Sequence, residues 1–107
     1  MTRRKFRTLE NVTEEYFQDR PEEIEPFLKQ IFVSYAEDGD SAALLWSLRI
    51  IVRVKGLSEV AREIGMSRQG LQKALSEKGN PRLDSISAIM QAMGFRLTAE
   101  KMDPQRV

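Results

Sequence analysis

"SEVAREIGMSRQGLQKAL", residues 58–75, carries apolar residues at helical spacing on both sides of "GMS". A glycine and a serine stand there at positions where a continuous helix favours neither. The stretch therefore reads as two short helices joined by a tight turn. Ser58 caps the first helix and Glu59 lies in its first turn, while Val60 and Ile64 face inward. Ala61 is small because the second helix crosses close over it. Gly65 supplies the positive φ that the turn needs, and Met66 plugs the corner. Ser67 caps the second helix by accepting a free backbone N–H. Leu71, Ala74 and Leu75 bury its inner face, which leaves Arg68, Gln69, Gln72 and Lys73 outward. A small residue, a glycine four positions on and a large apolar residue six further on make a strict spacing. Ala61, Gly65 and Leu71 satisfy it, and the unit is a helix-turn-helix that offers its second helix to a DNA major groove.

The outward side chains suit that use. Gln69 and Gln72 match adenine edges and Arg68 matches guanine, each good bidentate pair giving about 1–3 kcal/mol of discrimination. Lys73, Lys78 and Arg82 are placed for phosphates, where they set affinity and salt dependence. With Ser67 at the cap, these seven are the candidate DNA-binding residues. No acid occurs between Glu63 and Glu77 to repel a phosphate. Arg62 either joins the phosphate contacts or pairs with Glu59. Gly70 either admits close approach of backbone to DNA or is merely tolerated.

Around this centre the chain of 107 residues is one domain of ordinary soluble composition, 41% apolar and 31% charged. It has neither cysteine nor histidine, which removes disulfides, thiolate metal sites and the usual general base near neutral pH. The remaining carboxylates, lysines and hydroxyls form no recognisable catalytic arrangement, so the sequence predicts no enzyme, no metal and no cofactor. The apolar run "AALLWSLRIIVRV" (42–54) is too short for a membrane span and contains Arg49 and Arg53. The basic N-terminus lacks an apolar signal core, and a cytoplasmic protein is expected.

The net charge of +1 conceals a segregation. Residues 1–8 carry +4, residues 9–40 carry −8 from ten acids and two bases, residues 41–82 carry +5, and the rest balances. An acidic and a basic block suggest two surfaces for two kinds of partner, or two solvated faces. Residues 1–15 show weak apolar periodicity and read as an arm, in which Arg3, Arg4, Lys5 and Arg7 make either a minor-groove contact or a solvated tail.

Residues 16–38 read as helical, with Asp19 and Glu22 as a capping box and Pro26 as a kink or the true start. Gly39 ends this element and Asp40 caps the next, an apolar helix over about 40–55 that packs on two sides, with Trp46 as core filler. "SEKGNPRL" is a loop, and "DSISAIMQAMG" is a helix capped by Asp84 or Ser85. "FRLTAEK" (95–101) alternates like a short edge strand, and the tail 98–107 is loose.

The stretch "GLSEVAREIGMSRQGLQKALSEKGNPRLDSISAIMQAMGFRL" (56–97) closely resembles the probable addiction-module antidote proteins, HigA-type antitoxins with an Xre/Cro-type helix-turn-helix. The preceding "PEEIEPFLKQIFVSYAEDGDSAALLWSLRIIVRVKG" (21–56) fits the helix, "GD" junction and helix found upstream of the motif in that family. The resemblance covers residues 16–97, and its most specific pieces are "MSRQGLQKALSEKGNP" and "MGFRL". It implies an all-α, lambda-repressor-like bundle of about five helices with a short C-terminal strand. It also implies an antitoxin that neutralises a small basic RelE-type ribonuclease toxin and represses its own operon as a homodimer on double-stranded operator DNA. The acidic block at 9–40 suits a basic toxin. Gln72 departs from the aromatic residue common at its position, so operator preference does not carry over. The dimer surface is either "FRLTAEK" pairing with its mate or the exposed side of helix 40–55. A stand-alone helix-turn-helix regulator, or an interaction module that has lost DNA, are the competing readings.

Overall fold

The computed structural model describes residues 8–102. They form six α-helices, one 3-10 turn and no strand. Helix α1 spans Leu9–Asp19, and the 3-10 turn Pro21–Glu23 leads into α2, Ile24–Asp38. Then come α3 (Ser41–Lys55), α4 (Leu57–Ile64), α5 (Arg68–Ala74) and α6 (Leu83–Ala92).

Helix α3 is the spine. Leu48, Ile50, Ile51 and Val52 are fully buried, a residue set too wide for a one-sided helix. Helices α1 and α2 cover one part of it and α4 another, while α4 in turn contacts α5 and α6. One continuous core results, running from Phe17 and Leu28 through α3 to Leu71, Leu75 and Ile89. Trp46 packs at its edge, half-buried, as filler.

The junctions follow from local chemistry. Gly39 takes φ +67° and donates its N–H to the Tyr35 carbonyl at 2.7 Å, which ends α2. The Asp40 carboxylate accepts from the Ala43 N–H at 3.0 Å and starts α3. Pro26 falls in the first turn of α2, where an N–H would have no intrahelical acceptor. It therefore marks the start rather than a kink.

Several expectations are corrected. Residues 9–15 are helix, not arm, which raises the helix number above five. Helix α1 buries only Phe17, so apolar periodicity had almost nothing to register. Its inner face is completed by charge: Glu14 meets Arg53 at 3.0 Å and Glu10 meets Arg49 at 3.9 Å. The paired side chains are only 21–34% exposed, so their attraction is less screened than that of a surface pair, while burying a phenylalanine contributes roughly 1.5–3 kcal/mol. Phe17 thus holds α1 and the ion pairs set its register. Asp19 closes α1 instead of capping the next element, and the Thr8 hydroxyl caps α1 by accepting from the Asn11 N–H at 3.0 Å.

Neither Ser58 nor Asp84 nor Ser85 is a cap, because the cap of α4 lies two residues earlier, at Gly56, and that of α6 two or three earlier, at Arg82. The strand over 95–101 is absent. Phe95 and Leu97 do pack on the core in alternation, but the described residues hold no second strand to pair with, and alternation without a ladder is not a strand. The exposed residues of α3 are Ser41, Ala42 and Ala43 in its first turn and Lys55 at its end.

Phe17→Ala is expected to cost about 3 kcal/mol or more and to release α1 first. Hydrogen exchange should show the amides of residues 9–19 losing protection before those of α3 to α6.

Candidate nucleic-acid interface

Helix α4 buries Val60 and Ala61 and stops at Gly65, whose φ of +76° only glycine adopts without strain. The Met66 N–H reaches the Ala61 carbonyl at 2.9 Å and the Gly65 N–H reaches that of Arg62 at 3.2 Å. These paired bonds are a Schellman closure, and they seat Met66 over the small Ala61. One residue later the Ser67 hydroxyl accepts from the Gly70 N–H at 2.9 Å and opens α5. The turn is therefore closed on both sides by its own hydrogen bonds.

Helix α5 has only seven residues, too few to hold itself. Leu71 and Leu75, both fully buried, anchor it to the core. Ser67, Arg68, Gln69, Gln72 and Lys73 are all exposed, and the four long side chains share one face by helical geometry. The fold thus brings together five of the seven expected site residues. Lys78 joins them: it lines a shallow hollow with Lys73, Gly70, Ser76, Gly79 and Asn80. Arg82 stands apart. It lies beside a separate hollow with Leu83 and Ser87, and its guanidinium meets the Asp84 carboxylate at 3.4 Å. That pair is largely exposed and weak. Among the described residues no ion pair joins Arg62 to Glu59, which leaves Arg62 exposed on α4. Arg3, Arg4, Lys5 and Arg7 lie outside the described residues.

Two glycines explain the surface. A Cβ at Gly70 would stand 2.9 Å from the Ser67 hydroxyl, so this glycine leaves room for the helix cap, a local reason that the sequence did not supply. A Cβ at Gly79 would fall 2.1 Å from the Ala74 carbonyl oxygen and 2.9 Å from that of Lys73. Backbone cannot yield there. Glycine alone lets the chain close against the end of α5, which brings Lys78 into one hollow with Lys73. Sequence reasoning read Gly79 only as a turn signal. It also missed Arg49 of α3, whose guanidinium donates to the Leu75 carbonyl at the end of α5. A contact across 26 residues leaves no local trace.

The described residues thus form an all-helical bundle in which a glycine closes the helix pair α4 and α5 and the second helix is basic and amide-rich. A family model described as "Probable addiction module antidote protein" matches residues 8–101, and the chain belongs to that family. It is also similar to a protein of Haemophilus influenzae described as uncharacterized, with 32% identity over 80 residues that cover 75% of this chain and 78% of that protein. No solved structure matches it.

Gly79→Ala is expected to lower stability by about 2 kcal/mol or more, since it overpacks rigid backbone. Gly70→Ala should be close to neutral, because about 1 kcal/mol of helix propensity gained offsets a similar loss at the cap. Urea unfolding midpoints of the two variants check both.

Proposed function

We propose that the chain is a DNA-binding antitoxin that represses its own operon, with a lambda-repressor-like arrangement of its helix-turn-helix. The observation that carries the DNA half is the exposed face of α5, where Arg68, Gln69, Gln72 and Lys73 stand on a capped helix with Lys78 beside them. Arginine and glutamine are side chains that read base edges, and lysines take phosphates. A homodimer sets two such helices in successive major grooves about 34 Å apart. The family supports the antitoxin half, and a RelE-type ribonuclease is the toxin proposed. Both partners are cytoplasmic in this reading.

The acidic block supports a basic partner with one amendment. Glu10 and Glu14 turn inward to Arg49 and Arg53, so they are not the partner's surface. Glu25 pairs with Lys29 at 3.5 Å on an exposed helix face, and the Tyr16 hydroxyl donates to the Glu23 carboxylate. That bond holds the Tyr16 hydroxyl above its ordinary pKa. Glu22 and Glu25 are consequently the acids best placed to meet a partner without disturbing the fold.

Anisotropy with DNA from upstream of the chain's own gene tests the first half. Gln69→Ala and Gln72→Ala should each cost about 1–3 kcal/mol on that DNA and little on unrelated DNA. Lys73→Ala and Lys78→Ala should each reduce the slope of log K against log salt by about one. Equal affinity for both DNAs in the native protein would contradict it. For the second half, the chain is co-expressed with the small basic protein encoded beside its gene. A stoichiometric complex, weakened by Glu22→Lys with Glu25→Lys, is expected. Recovery of the chain alone alongside folded partner would leave a stand-alone regulator.

A further inference from the structure

Leu75 caps the C-terminal end of α5, and among the described residues no backbone N–H donates to its carbonyl. Its partner is the Arg49 guanidinium, which reaches it through Nη1. The same guanidinium turns Nη2 toward the Glu10 carboxylate of α1, 3.9 Å away, with the Arg49 side chain only 21% exposed. One helical turn further along α3, Arg53 meets Glu14 at 3.0 Å and the Asn11 side-chain oxygen at 3.5 Å. So α1 keeps its register on α3 through charges, and one of those charges also closes the recognition helix.

A guanidinium is a planar fork whose donors move as one body. A shift of its acceptor on one prong rotates the other. We propose that Arg49 is a positioning residue for α5 and that Glu10 governs it, so that α1 and the DNA-reading helix are coupled through a single side chain. The proposal rests on the DNA-binding reading for its functional readout, but not for its structural one.

The test uses the full chain and two substitutions. Glu10→Gln removes the carboxylate charge and keeps the shape. Arg49→Lys keeps the charge but replaces the fork by a point cation that cannot span both acceptors in the same geometry. Without DNA, Glu10→Gln should speed hydrogen exchange at the amides of Leu75 and Gly79, which lie at the end of α5, and leave Leu48 and Ile51 in α3 protected. With DNA from upstream of the gene, its affinity should fall about three- to tenfold. Its affinity for unrelated DNA should hold or rise, because the variant loses a negative charge. Partial unfolding would lower both affinities, which separates positioning from general damage. In the Arg49→Lys background, Glu10→Gln should have no further effect.

Native exchange at Leu75 and Gly79 in Glu10→Gln, or a full additive effect on top of Arg49→Lys, would overturn the coupling. If the native chain binds its upstream DNA no better than unrelated DNA, the proposed function fails. The exchange measurement still decides the coupling.

Discussion

Everything in this fold hangs on the burial of α3. Four consecutive-turn residues of that helix, Leu48, Ile50, Ile51 and Val52, have no solvent contact, and at roughly 1.5–3 kcal/mol each they supply the largest local share of apolar stabilisation. Burial on that scale demands neighbours on more than one side. The helices before it and the helix-turn-helix after it are those neighbours. Both sets of helices pack against α3 or against a helix that does, and the buried residues form one continuous core.

That shared helix also explains how a helix of seven residues, α5, is held. Four independent constraints converge on α5. The Ser67 cap fixes its start, Leu71 and Leu75 pin its inner face, Gly79 folds the following loop against its last carbonyls, and Arg49 satisfies the Leu75 carbonyl. With the inner face and both ends fixed, the outer side chains stand on a firm support, as the proposed base readout requires.

What the sequence discloses divides along physical lines. Interactions encoded within a few residues were legible: the Gly65 turn, the Ser67 cap, the Gly39–Asp40 junction and the two-sided burial of the apolar helix α3. Features that depend on distant partners were not. The seven residues from Leu9 to Glu15 have no apolar stripe, and their helical state follows from Phe17 and from acids that meet arginines about forty positions on. Residues 95–101 alternate as a strand does, and they lack only the second strand that alternation cannot predict. Of the candidate site, the face of α5 was readable from spacing. The union of Lys73 with Lys78 was not, since it depends on a Gly79 contact that only coordinates reveal.

The chain belongs to the antidote family, and the function proposed for it requires that α5 read DNA. The most direct measurement is a nuclear magnetic resonance titration with a duplex of about twenty base pairs from upstream of the gene, following every assigned amide. DNA reading predicts shifts concentrated at residues 67–73 and 78–80, with α2 unmoved. Shifts confined to α1 and α2, or none beyond those caused by unrelated DNA, would contradict it.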